Sequence, residues 1–135
     1  VQGYERLVAR LARTKVPHVA VVVRKAFGGG HYAMGGRPTL PDLLVCWPIA
    51  ELGFMAPETG VVTVNRRMLE QAEADGGREA RDKLEMELTQ EWIDESAAWE
   101  SAAHTFVDDI IDPRDTRSVI LTGIEFGWGD RDGVG

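Results

Sequence analysis

The segment that decides the fold is VAVVVRKAFGGGHY, residues 19–32. It opens with five apolar residues, Val19 to Val23, most of them β-branched. This composition predicts a strand of a parallel sheet that is covered on both faces. Three consecutive glycines, Gly28 to Gly30, follow after four residues. A strand that runs into three glycines predicts a tight turn into a short helix over 31–34, and the backbone amides of that turn are not shielded by side chains.

Helices and strands are expected to alternate on both sides of this segment. Apolar residues recur at helical spacing from Tyr4 to Ala12, and the apolar run from Leu43 to Trp47 predicts a second strand. The other expected elements are an apolar segment over 50–55, helices over 57–67 and 78–101 around a loop at 75–77, a strand over 105–111, and a helix from Asp112 to Gly127. The alternation predicts an α/β arrangement with short parallel strands.

Length and composition indicate one domain. The chain has 135 residues, 44% of them apolar, which is enough for a single core. No apolar run reaches the roughly 20 residues that span a membrane, and the single cysteine, Cys46, has no partner for an internal disulfide. We therefore predict a soluble, cytoplasmic protein. The start at Val1 and the glycine-rich residues 127–135, expected to be a flexible tail, leave open that the chain is part of a longer one.

The charge is distributed unevenly. The net charge of −7 argues against a nucleic-acid-binding protein, which needs many Lys and Arg to neutralise phosphates. Residues 1–40 carry a net charge of +6, whereas residues 41–135 carry −13. The basic segment contains the glycine turn and could attract an anionic substrate. A solvated helix face accounts equally well for its arginines, Arg6, Arg10 and Arg13.

Side chains that could carry chemistry are sparse. The histidines, His18, His31 and His104, lack metal-ligand spacing, so no metal site is predicted. Nucleophile-elbow and phosphate-loop motifs are also absent from the sequence. Asp108 and Asp109 would point to opposite faces of a strand. We therefore expect one of them to cap or to pair with a nearby base and the other to face solvent.

The glycine turn is thus the strongest candidate site. Consecutive glycines allow two backbone N–H groups to point into one space, and a helix that begins there adds its positive end. Such an arrangement stabilises a developing oxyanion without a side-chain acid. The residues alone leave two interpretations open, an oxyanion or anion site and a plain flexible turn.

Three motifs resemble the carboxyltransferase (β) subunits of biotin-dependent acyl-CoA carboxylases, which belong to the crotonase/ClpP-like superfamily. Residues 16–31, VPHVAVVVRKAFGGGH, are similar to a P-K-strand-R-K-A-Y-G-G-A-Y segment. Residues 47–55, WPIAELGFM, are similar to W-P-x-A-E-…-M-G, and residues 106–117, FVDDIIDPRDTR, to [FY]-V-D-D-[VI]-I-x-P-x-x-T-R. The resemblance implies a spiral of ββα units. It identifies residues 1–126 as the C-terminal, biotin-side domain of a longer subunit.

The resemblance implies transfer of a carboxyl group from carboxybiotin to an acyl-CoA. The backbone amides of Gly29 and Gly30 would form an oxyanion hole for the biotin ureido oxygen. The pocket around them would be lined by Phe27, Gly28, His31 and Tyr32. Biotin on a carrier protein is the implied cofactor, with no metal in this chain. The implied partners are the biotin carboxyl carrier protein, the biotin carboxylase subunit, the N-terminal carboxyltransferase half and further copies of the subunit. No nucleic acid or membrane is implied, and the chain alone would be inactive.

The sequence departs from the family pattern at a few positions. Tyr32 stands where propionyl-type members have an acid, and residues 32–37, YAMGGR, look more like the Y-G-M-C-G-R of methylcrotonyl-type members, so the acyl specificity is open. Gly30 replaces the usual Ala, and Ala56 replaces the usual Gly. Three alternatives are a decarboxylase or transcarboxylase subunit, a non-catalytic assembly module of the same fold, and a crotonase-type hydratase or isomerase. The last would need a carboxylate near its thioester-binding site.

Overall fold

Strands and helices alternate along the chain, as the sequence predicts. The computed structural model describes residues 2–132. Its elements are α1 (Gln2–Leu11), β1 (Val19–Val22), β2 (Lys25–Phe27), α2 (Gly28–Ala33), β3 (Leu43–Cys46), β4 (Glu51–Gly53), α3 (Pro57–Val64), α4 (Arg66–Glu95), α5 (Ala98–Ala103), β5 (Asp109–Ile110) and α6 (Thr116–Asp132). Two short 3₁₀ helices, Arg37–Thr39 and Pro113–Asp115, precede β3 and α6.

Two successive strand–strand–helix units form the centre of the fold. In the first unit, β1 and β2 lead into α2, and in the second, β3 and β4 lead into α3. The strands of the two units pair with each other, β1 with β3 and β2 with β4, and both pairs are parallel. This repeat confirms the predicted α/β class and its ββα organisation.

The core lies on the larger of two small sheets. β5 pairs in parallel with β3, which gives the strand order β1-β3-β5, while β2 and β4 form a separate pair. The buried cluster consists of Val22, Leu44, Cys46, Ala50, Leu52, Ala98 and Val107. α6 packs closely over the sheet at Gly123, where a Cβ would lie 2.9 Å from the Leu43 side chain. Among the helices within residues 2–132, none combines the length and the apolarity needed to cross a membrane.

β1 differs from the expectation for the apolar run Val19 to Val23. It is the edge strand of its sheet and not a strand covered on both faces. Val19 to Val21 are half-buried, and Val23 is 46% exposed. β1 contacts α6, and its residues also border a groove of about 540 Å³. An unbroken apolar run predicts burial, but it does not distinguish the centre of a sheet from an edge that lines a groove.

Several boundaries also differ from the predictions. α2 begins at Gly28, three residues early, so the glycines themselves form its first turn. The expected loop at 75–77 is a kink at Gly77 (φ 73°, ψ −171°) within α4. The long helix ends at Glu95, because the extended Ala97 separates α4 from α5. The strand expected over 105–111 is reduced to the two residues of β5.

The last helix begins as predicted and ends later. The Asp112 carboxylate accepts a hydrogen bond from the backbone N–H of Arg114 at 2.8 Å, which confirms the predicted cap. The predicted helix end at Gly127 is wrong, because α6 continues to Asp132. Gly127 is buried, and a Cβ there would lie 2.9 Å from the Pro17 Cβ. This tertiary contact overrides the poor helix propensity of the glycines. Residues 133–135 lie outside the described part.

Thr105 occupies the turn after α5 in a left-handed conformation (φ +58°). The Thr105 N–H donates to the Ala102 carbonyl at 2.9 Å, and the Phe106 N–H donates to the Ser101 carbonyl at 2.9 Å. These two hydrogen bonds form a Schellman motif, in which glycine is preferred at the position of Thr105. We expect Thr105→Gly to raise the free energy of unfolding by about 1 kcal/mol, because a β-branched residue is strained there. Urea denaturation measures the change. The control Thr122→Gly, on exposed helical backbone of α6, should lower the free energy of unfolding by about 0.3 kcal/mol. A loss of stability in both variants would contradict the assignment of strain to Thr105.

Candidate functional site

The glycine turn joins β2 directly to α2. Phe27 has extended backbone angles (φ −120°, ψ 146°), and Gly28 follows with φ +64° as the first residue of the helix. Glycine adopts this left-handed φ without steric cost. A Cβ on Gly28 would lie 3.3 Å from the carbonyl oxygen of Phe54. The shape of the turn therefore requires glycine at position 28.

Gly29 and Gly30 are the second and third residues of α2. The first N–H groups of an α-helix have no acceptor within the helix, and the Phe27 side chain provides no cap. Both glycines are exposed. Their amides can therefore donate hydrogen bonds to an external oxygen, and the positive end of the helix favours negative charge at that oxygen.

Three ring-bearing side chains surround the turn. The Tyr4 ring of α1 lies beside Gly29, where a Cβ would be 3.6 Å from the ring. The half-buried rings of His31 and Tyr32 lie 5.5 Å apart between centroids. Burial lowers the pKa of His31, so its imidazole is neutral at pH 7. The surroundings of the turn thus offer apolar walls and a neutral polar ring.

Two hollows border α2. One, the α4–α5 cavity, has a volume of about 260 Å³ and is lined by Tyr32, by the end of β4 and by residues of α4 and α5 that include Trp92. The other is the groove along β1 and β2, which is bordered by Phe27 and Gly30. His31 borders both hollows. The residues proposed from sequence therefore lie around one short helix, but they do not all face the same hollow.

Sequence reasoning missed the role of Arg37 in this region. Its guanidinium lines the α4–α5 cavity, and its Nη2 donates to Asp108 Oδ1 at 2.8 Å. The two residues are 71 positions apart, so their spacing carries no signal of the contact. The far wall of the cavity, which includes Ser96, His104 and Phe106, was missed for the same reason.

The expectation for the two neighbouring aspartates is confirmed. Asp108 pairs with Arg37 and also accepts the backbone N–H of Leu44 at 2.8 Å. The Asp109 carboxylate faces solvent and accepts only the backbone N–H of the adjacent Ile110 among the hydrogen bonds of residues 2–132. Burial and the nearby Asp109 carboxylate raise the pKa of the Cys46 thiol, which agrees with its exclusion as a nucleophile. Within residues 2–132, no three His, Cys, Asp or Glu side chains are grouped in a way that could hold a metal ion.

The fold is an α/β domain in which two exposed backbone amides lie at a strand-to-helix turn. The carboxyl transferase domain family matches residues 3–132. The chain therefore belongs to this family, which confirms the resemblance seen in the motifs.

Named relatives lie within the same family. The biotin-dependent acetyl-/propionyl-coenzyme A carboxylase beta5 subunit of Mycobacterium tuberculosis (strain H37Rv) is 33% identical over 120 residues, which cover 88% of this chain and 22% of that protein. The methylmalonyl-CoA decarboxylase subunit alpha of Propionigenium modestum is 31% identical over 117 residues, covering 87% of this chain and 22% of the relative. The chain spans about a fifth of the length of these relatives.

A solved structure shares the fold. The crystal structure of transcarboxylase 12S, a hexamer with methylmalonyl-coenzyme A and methylmalonic acid bound, superimposes with a TM-score of 0.80 at 29% sequence identity. The match covers 90% of this chain and 22% of the 12S chain. The crotonase-like carboxyltransferase fold implied by the motifs is therefore confirmed.

Proposed function

We propose that this chain is the biotin-side portion of a carboxyltransferase that moves a carboxyl group between carboxybiotin and an acyl-CoA. The observation that carries the proposal is the pair of exposed amides, Gly29 and Gly30, at the start of α2. The printed names of the relatives support it, since they describe biotin-dependent acyl-CoA carboxylase and carboxyltransferase subunits.

The turn can accommodate a ureido group. A Cβ on Gly30 would meet no atom within 4 Å, so the space beside the turn is open. When bound, carboxybiotin supplies the carboxyl group. The N–H groups of Gly29 and Gly30 would donate to the ureido oxygen and would stabilise the negative charge left there when the carboxyl group is transferred. This mechanism requires no acidic side chain in this chain.

The neighbouring side chains would shape the pocket. We assign the surroundings of the turn to Phe27, Gly28, His31 and Tyr32, with Phe27 on the side of the groove along β1 and β2, Tyr32 on the side of the α4–α5 cavity, and His31 on both sides. The neutral imidazole of His31 can exchange hydrogen bonds with a neutral ligand without adding charge beside the amides. The Tyr32 ring borders the α4–α5 cavity and presents an apolar surface with one hydroxyl.

The complete activity would need further protein. The relatives are about four times as long as this chain, which supports our proposal of a further, N-terminal carboxyltransferase half that binds the acyl-CoA. We further propose a biotin carboxyl carrier protein and a biotin carboxylase subunit as partners. Assembly of several copies is supported by the hexamer of transcarboxylase 12S. A cytoplasmic location fits the buried free thiol of Cys46.

A decarboxylase or transcarboxylase subunit is the second candidate. It is favoured by the relative named methylmalonyl-CoA decarboxylase subunit alpha, at 31% identity. The same two amides would serve either direction of carboxyl exchange. The open approach to Gly30 favours both enzymatic proposals over a non-catalytic assembly module.

Binding of free biotin to the complete assembly tests the proposed site. In a deuterated assembly labelled with ¹⁵N-glycine, millimolar biotin should shift the amide resonances of Gly29 and Gly30, because a new acceptor changes the shielding of both protons. Gly129 on exposed α6 serves as the internal reference and should not move. Biotin that leaves Gly29 and Gly30 unchanged while carboxyl transfer proceeds would place the ureido oxygen elsewhere.

A further inference from the structure

The Asp108 carboxylate is held in one orientation by β3. Its Oδ2 accepts the N–H of Leu44 at 2.8 Å, and the Asp108 N–H donates to the Leu44 carbonyl at 2.7 Å. Leu44 has no exposed surface, so this backbone is a fixed part of the core. The remaining oxygen, Oδ1, is directed to Arg37 Nη2 at 2.8 Å. Both oxygens of Asp108 are therefore used, and their geometry is determined by the core.

Arg37 depends on this carboxylate. Its side chain is 34% exposed, and its Nε is buried without a hydrogen-bond partner among the described residues. A guanidinium that is partly removed from water is unfavourable without a counter-charge. Glu95 and Glu100 also line this cavity. Among residues 2–132, however, the carboxylate that forms the ion pair with Arg37 is that of Asp108.

Arg37 is in turn connected to the candidate site. It follows Gly36, whose N–H donates to the His31 carbonyl at 3.1 Å. The His31 ring lies so close to Gly36 that a Cβ there would be 2.9 Å from its Nε2. Arg37, His31 and Tyr32 also line the same cavity. A displacement of Arg37 would therefore be transmitted through Gly36 to α2.

We propose that Asp108 is a positioning residue for carboxyl transfer: by fixing Arg37, it sets the position of Gly36, His31 and the amide turn of α2. The inference rests on the proposed function. Both side chains of the ion pair remain about one-third exposed, and such a pair contributes little to stability. Its main effect should therefore be on the geometry of the site.

Asp108→Asn isolates this role. The amide oxygen of asparagine can still accept the Leu44 N–H, whereas its NH₂ group would meet the N–H donors of Arg37. In the complete assembly, with a carboxylated acyl-CoA as the carboxyl donor and free biotin as the acceptor, we expect the KM for biotin to rise about tenfold and the KM for the carboxylated acyl-CoA to change by less than about twofold. Arg37→Gln should give a similar rise. The double variant should be no worse than Arg37→Gln alone, because Asp108 acts through Arg37.

Two further measurements complete the test. Asp112→Asn breaks an exposed Asp–Arg pair outside the cavity lining and should leave both KM values unchanged. Without biotin, ¹⁵N-glycine spectra of Asp108→Asn should show shifted Gly29, Gly30 and Gly36 resonances beside an unchanged Gly129.

Each result supports or overturns the proposal. An unchanged KM for biotin in Asp108→Asn, unchanged Gly29 and Gly36 resonances, or effects that multiply in the double variant would overturn the positioning role. If the parental assembly transfers no carboxyl group to biotin, the proposed function has failed, and the inference fails with it. That outcome is recognised in the parent, before any variant is compared.

Discussion

Replacement of Gly29 by proline is expected to lower the rate of carboxyl transfer by about 100- to 1,000-fold, the typical loss for one oxyanion-hole donor. Proline has no N–H, and its fixed φ is compatible with the first turn of a helix, so α2 itself should persist. Turnover of the complete assembly with carboxybiotinylated carrier protein and acyl-CoA measures the effect. Circular dichroism and size-exclusion chromatography check that the variant is folded and assembled.

Gly29→Ala is the matched variant that separates the N–H from the side chain. It retains the amide donor, and its Cβ would lie 3.6 Å from the Tyr4 ring, an ordinary van der Waals distance. We therefore expect a much smaller loss of turnover than with proline. Equal losses in the two variants would indicate that space beside Tyr4, and not hydrogen bonding, is what matters at this position. Parental turnover in Gly29→Pro would remove Gly29 from the proposed oxyanion hole.

The central architecture could be predicted because its signals are local. The β-branched run at β1, the apolar run at β3 and the glycines between them are read from neighbouring residues. The cap at Asp112 is equally local, since its acceptor serves a backbone N–H two residues away. Boundaries set by distant packing could not be predicted. The continuation of α6 through Gly127 depends on Pro17, which lies more than 100 residues earlier.

The amides of the candidate site could also be predicted from neighbouring residues, whereas the contacts between distant residues could not. The amides of Gly29 and Gly30 belong to a single turn, so three adjacent glycines indicate them. The pairing of Asp108 with a basic residue was expected, but the identity of that residue as Arg37 depends on the packing of β3 against the segment after α2. The α4–α5 cavity has no sequence signature, because its walls come from five separate elements: α2, the 3₁₀ helix Arg37–Thr39, β4, α4 and α5.

Packing of α3 against α4 leads to a prediction about stability. Gly60 is buried in α3, and a Cβ on it would lie 2.4 Å from Trp92 Cζ2 and 2.8 Å from Cε2 and Cη2. These distances are far below normal contact, so Gly60→Ala must displace the indole ring. We expect the free energy of unfolding to fall by about 2 kcal/mol, as for other overpacked sites. For a domain of this size, that loss corresponds to a decrease in Tm of about 8 °C.

The sign of the change in the free energy of unfolding of Gly60→Ala distinguishes an effect of packing from an effect of helix propensity. Alanine is the better helix former, so Gly→Ala in a helix without close neighbours should stabilise by about 0.5–1 kcal/mol. Gly129 in α6 provides that control, because a Cβ there would meet no atom within 4 Å. Trp92→Phe should restore part of the stability of Gly60→Ala, because the smaller ring vacates the space that the new methyl group needs. A Gly60→Ala variant that is as stable as Gly129→Ala would show that Trp92 does not occupy this position, and the wall that Trp92 gives to the α4–α5 cavity would then have to be reassigned.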